Sequence, residues 1–220
     1  MMLLGCAGIV ALITLMPENA IPRVDEFVDA QTRAAIADSA HGPELTADPK
    51  AAAQLGPRIV FGDHSIQLPD GFAGGTGVVE PLTPEGGQMH GWQWVKGLHS
   101  PGEEIALLQA QIREAPATVN GAEYFEQALA DELRELRKSN GLPDIESGRH
   151  NGKRAVRVTY SSRKDGLACI KLFQFEGERL LVLTMVCSSA DQNLVRVLEA
   201  AMLSVQESDA SGPQGSPRRP

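Results

Sequence analysis

Residues 179–187 read RLLVLTMVC, a run almost without polar side chains, closed off by Glu176-Gly177-Glu178 before it and Ser188-Ser189 after it. A strand with no polar alternation has no face to offer to water, so it belongs at the centre of a sheet covered on both sides. Its neighbours must then supply a sheet and two covering layers. Upstream, Asn151-Gly152 is a type I′ hairpin signal between runs 145–150 and 153–161, since both loop positions need positive φ. The sequence Arg163-Lys164-Asp165-Gly166 marks a further turn, and 167–175 gives the third strand of a meander.

The covering layers are legible as helical stripes. Ala122, Phe125, Leu129, Leu133 and Leu136 recur at steps of three and four, with Glu123, Asp131, Arg134 and Lys138 opposite, which predicts a helix over 122–139. Asn140-Gly141 and Pro143 then stop it. A second helix over 191–204 carries Leu194, Val197, Leu198, Ala201 and Met202, with Val205 just beyond. Ser188 or Ser189 serves as its cap, and Gln192 is placed for a capping box with Ser189.

The first half is less regular. Val60, His64, Ile66 and Leu68 suit one strand over 58–68, ended by Pro69-Asp70-Gly71. Residues 74–91 read as a long Gly/Pro-rich loop with a short strand at Val78-Val79. Residues 91–97 (GWQWVKG) alternate as a strand, and 105–112 return as its partner or, since Ala, Leu and Gln also suit it, form a helix. Residues 24–40 suggest a weakly amphipathic helix and 41–57 a linker, so the domain is expected to begin near Arg58 and end near Gln206. The tail 207–220 cannot bury a core and is expected to be disordered.

This succession resembles the PsbP/DcrB-like superfamily, an α-β-α sandwich that also includes a Ran-binding nuclear import factor. The residues carrying the resemblance are Leu68-Pro69-Asp70-Gly71-Phe72, the Asn151-Gly152 hairpin, the Asp165-Gly166 turn, the apolar strand after Glu176-Gly177 and the closing Ser188-Ser189-Ala190 helix. The fold implied is α+β: an antiparallel sheet of about five to six strands flanked by two main helices. The role implied is non-catalytic, as an envelope lipoprotein, accessory subunit or protein-binding module. No functional residue carries over.

Location turns on residues 1–16, MMLLGCAGIVALITLM, which precede Pro17. The run is slightly shorter than the roughly 20 residues of a spanning helix. It lacks a basic n-region, and Glu18 spoils the cleavage position of a secretory signal. Leu3-Leu4-Gly5-Cys6 has the outline of a lipobox but lies too near the start and is followed by apolar residues. An uncleaved anchor facing the periplasm or exterior is expected; a cleaved signal with secretion, or a buried helix, are the alternatives. The formal net charge of −8, with no basic stripe, argues against nucleic acid. The expected partners are another protein and, through 1–16, the membrane.

No catalytic signature is found. The sequence lacks G-x-S-x-G and H-E-x-x-H, and the glycine run 71–77 lacks the lysine of a phosphate loop. No enzyme activity, cofactor or metal is therefore expected. The binding candidates are Trp92, Trp94, His90 and His99, either as an aromatic platform or, for the tryptophans, as core packing. His150, next to the hairpin turn, reads as an exposed strand-end residue. Cys169 and Cys187 lie on neighbouring strands: an odd-numbered loop would set them opposite each other and permit a disulfide in an exported chain, an even one would put them on opposite faces. The rival readings are an enzyme with an unsigned site in 74–99, and a secretion-system chaperone or immunity-type protein.

Overall fold

The computed structural model of the chain describes residues 24–83, 86–97, 105–140, 143–162 and 166–208. The apolar segment 1–16, the Arg163–Asp165 part of the predicted turn, Gly141 and the tail from 209 lie outside the described residues.

The meander forms as its turns dictate. Strands β7 (Asp144–His150) and β8 (Lys153–Ser162) are joined by Asn151-Gly152, with φ of 53° and 73°. Strand β9 (Leu167–Glu176) turns at Gly177-Glu178 into β10 (Arg179–Ser188). Upstream, β5 (Gly86–Lys96) pairs with β6 (Ala106–Glu114), and β6 pairs with β10. Together with β3 (Ala73–Gly74) and β4 (Val78–Thr83), which both pair with β5, they make an eight-stranded sheet in the order β3-β5-β6-β10-β9-β8-β7. β10 lies in its interior.

The alternation along β10 feeds two cores. Leu181, Leu183, Met185 and Cys187 point to one, Leu180 and Val182 to the other. Each fully buried leucine here contributes roughly 2 kcal/mol of transfer free energy. On the second face lies α3 (Gly121–Asn140), whose Phe125, Leu129 and Leu133 are at most 1% exposed. The first face is covered by α4 (Gln192–Leu203) and by a small sheet of β1 (Leu55–Phe61), β2 (His64–Pro69) and β11 (Gln206–Glu207).

The α+β class and the flanked antiparallel sheet hold, while the expected five to six strands and two helices are too few. The predicted strand over 58–68 is a hairpin turning at Gly62-Asp63, with Phe61 opposite His64. The predicted loop over 74–91 contains β4 paired residue by residue with β5, Val79 opposite His90. The short strand expected at Val78-Val79 is the start of β4, which runs on to Thr83 through Glu80 and Pro81 without the apolar alternation that periodicity reads.

The segment ahead of Arg58 is also part of the body. Helix α1 (Val24–Ser39) packs on α3, β7 and β8, burying Ile36. Leu45 N donates to Arg149 O at 2.7 Å and Arg149 N to Pro43 O at 2.8 Å, covering the outer edge of β7. The short helix α2 (Pro49–Ala52) buries Ala51 against Val197 and Ala200. The cap of α4 differs from expectation too: Asp191 Oδ1 accepts Leu194 N at 2.9 Å, and Gln192 Nε2 instead donates to Ser189 O. Among the described residues no helix is long and apolar enough to cross a membrane.

Candidate functional site

Strand alternation places His90, Trp92 and Trp94 on one face of β5, opposite Ile112, Ala110 and Leu108. The small sheet lies over them. Trp94 is 2% exposed and Trp92 half-buried, and the Phe61 ring meets both edge-on at 5.3 and 5.6 Å. His90, also half-buried, stacks on Trp92 with ring centroids 6.4 Å apart. His99 lies outside the described residues. The glycine run has a packing reason: a Cβ on Gly75 would meet Trp94 Nε1 at 2.7 Å, and one on Gly77 would meet Trp92 Nε1 at 2.9 Å. The loop rests directly on the indoles, and only glycine allows that approach.

Trp94 also lines a surface hollow. The hollow, of about 270 Å³, has Ile59, Leu68, Phe72 and Trp94 on its walls. Pro69 and Asp70 also line a neighbouring groove of about 430 Å³ bordered by Gln54, Lys96, Asp191 and Asn193. Apolar side chains set beside charged and amide side chains are a general feature of recognition sites. The Pro69-Asp70-Gly71 turn and the N-terminus of α4 position those polar groups.

The two cysteines are kept apart by the two-residue loop Gly177-Glu178. Cys169 faces Val186 and Cys187 faces Ala168, so the side chains point to opposite faces and the disulfide allowed by an odd loop does not form. Burial pushes the Cys169 thiol up, against the opposing effects of Tyr160 and Lys171.

The densest polar cluster in the described part of the molecule is one that sequence patterns do not flag. His64, wholly buried, sits between Asp63 Oδ1 at 2.8 Å and Glu176 Oε1 at 3.0 Å. Glu176, whose side chain is 3% exposed, also takes Lys153 Nζ at 3.0 Å and Arg179 Nη2 at 3.2 Å. Burial opposes its charge, but His64 and Lys153 outweigh burial and bring the carboxyl down to about 2. Asp63, bonded to Arg179 at 2.7 Å, is lowered as well, its partial burial being outweighed by Arg179 and His64. His150, expected at the surface, is 2% exposed: it bonds to Gln174 Oε1 and to Leu203 O, because the chain beyond α4 crosses over the hairpin tip. Apart from the neighbours Asp63 and His64 and the Glu176–Arg179 pair flanking a tight turn, the partners are far apart in sequence. Among the described residues no His, Cys, Asp and Glu group is arranged to hold a metal ion.

The architecture is thus that of an α+β protein with one long antiparallel sheet covered on both faces. Among solved structures it is similar to cyanobacterial PsbP (CyanoP) from Synechocystis sp. PCC 6803, with a TM-score of 0.40 and 11% identity, over 73% of this chain and 89% of that chain. PsbP is the kind of fold that the order of sequence elements resembles. No protein-family model and no curated protein sequence matches the chain.

Proposed function

We propose that the chain is a bacterial protein, anchored in the membrane by residues 1–16 or exported, that acts as a non-catalytic binding module. The observation carrying this reading is the hollow at Trp94, which shares Pro69 and Asp70 with a groove bordered by Lys96 and Asp191. Such a surface suits a segment of another protein, with an apolar side chain entering the hollow and polar groups meeting the groove. The apolar run of residues 1–16 supports the location, and the lack of a nucleophile–base pair at the hollow supports a binding role.

Two measurements test it. Fractionation with protease applied from outside should find the chain in the membrane fraction and cleavable; a chain wholly in the cytosol refutes the location. For the hollow, crosslinking of the full-length chain in cells should yield a partner adduct that is lost in Phe72→Ala and Asp70→Lys variants. Adducts unchanged by both substitutions refute the binding site.

A further inference from the structure

Gly91 stands in the middle of β5, and the fold gives no reason for a glycine there. Two nearby glycines show what such reasons look like: Gly87 takes a φ of 82°, and a Cβ on Gly77 would strike the indole of Trp92. Gly91 does neither. Its φ lies outside the left-handed region, and an added Cβ would meet nothing within 4 Å. Nor does it mark a bulge, because the register runs unbroken on both sides, with Val78 and Gln111 as its partners. A glycine inside a strand forgoes packing and costs backbone entropy, and its remaining use is to let another body come close.

The sheet is hollowed at that place. A pit of about 190 Å³ is lined by Val78, Met89, Gly91, Gln93, Gln109 and Gln111. Gln111 is the partner of Val182, so the pit opens on the face that α3 covers further along the sheet, opposite the face that holds Trp94. Its size is below the roughly 300–1,000 Å³ that engulfs a drug-sized ligand, so it seats one small unit.

The lining says what kind of unit. Gln93 and Gln109 are cross-strand partners, and neither side chain bonds to a described residue. Gln111 accepts Arg113 Nε at 3.0 Å and Nη2 at 2.6 Å on its oxygen, which leaves its NH2 group to donate. Each free amide both donates and accepts, as a hydroxyl does. Val78 and Met89 add an apolar wall. Charge is balanced among the described residues nearby: Glu80 lies in the row of Met89 and Arg113, and Glu132 takes Lys171 and stands 3.9 Å from Arg113. An ionic ligand gains nothing from two carboxylates set against two cations. The backbone groups of β5 and β6 are spent in the ladders on either side, so a peptide laid on this face would find no main-chain partners. We infer that the pit binds one sugar ring of a neutral glycan, with the ring over Gly91, its hydroxyls on Gln93, Gln109 and Gln111, and its C–H groups against Val78 and Met89.

An array of neutral and acidic glycans probed with the full-length chain tests the chemistry. Neutral oligosaccharides should bind; no neutral glycan bound, or acidic ones alone, overturns the proposal. Titration calorimetry with the tightest neutral oligosaccharide then tests the place. Gly91→Val, which fills the pit, should weaken binding about tenfold or more, and Gln109→Ala about three- to tenfold. Affinity unchanged in both variants overturns the site, and if Gly91→Val does not fold, Gln109→Ala decides alone. Phe72→Ala, at the hollow on the other face, should leave the affinity as it was; a loss there would put the glycan at Trp94 and overturn the assignment. Gly91→Ala should melt at or above the native temperature, since an alanine fits the open space, and a lower melting temperature would give Gly91 a role in the fold and remove the argument.

Discussion

At the scale of single residues, Glu176 is where burial and charge conflict most. A carboxylate 3% exposed persists because His64, Lys153, Gln174 and Arg179 all donate to it. Its folded-state pKa of about 2 lies below its ordinary 4.5, so the stability it contributes is fully present above about pH 4.5 and is lost as pH falls towards 2. That contribution is on the order of 3 kcal/mol. Glu176→Gln should therefore lower stability at neutral pH and flatten the acid limb of a urea-denaturation series; a variant with the native acid dependence would remove Glu176 as its source. Lys153 works in the opposite direction: burial is outweighed by Glu207 and Glu176, its pKa is raised, and its contribution fades only as pH climbs beyond the ordinary 10.5. A second residue-scale expectation concerns Gly75, where φ is 95° and Trp94 lies against the backbone. Gly75→Ala should cost about 1–3 kcal/mol and shift the tryptophan emission. An unchanged melting temperature and spectrum would mean that the loop does not rest on the indole.

At the scale of elements, β10 and α4 separate what periodicity can read from what it cannot. Leu181 and Leu183 are wholly buried beneath α4 and the small sheet. Truncating either to alanine should cost about 3–5 kcal/mol in chemical denaturation, whereas Val60→Ala, at 65% exposure, should change stability by less than about 0.5 kcal/mol. The apolar run alone pointed to that interior position, because no sequence so poor in polar groups can face water. The cap of α4 was less legible. Ser189, Asp191 and Gln192 are all plausible at a helix start, and the choice depends on the angle at which the chain leaves β10. Ser189 is drawn off to Gly166 O at 2.9 Å, leaving Asp191 to meet Leu194 N. Asp191→Ala should cost about 1 kcal/mol, more than Ser189→Ala, as read from paired urea midpoints.

At the scale of the whole molecule, one sheet with two covered faces means that each layer depends on the same central strands, so unfolding should be a single transition. Near- and far-ultraviolet circular dichroism should lose their signals together; separated midpoints would show the small sheet or α1 to be an independent unit. Helix α1 belongs to that unit through α3 and β7, although its composition suggested a segment outside the domain. What the amino-acid order determined by itself was local: the Asn151-Gly152 reversal, the two amphipathic stripes, the strand too apolar for any surface, and hence an α+β sandwich. What tertiary structure alone decided was everything that joins distant residues. It brought Asp63, His64, Lys153, Glu176, Arg179 and Glu207 together and took His150 from the surface into the interior. It also laid glycines over the indoles of Trp92 and Trp94. Turn preferences and side-chain periods act over a few residues, so they fix elements; a polar group survives burial only through partners that the completed fold supplies.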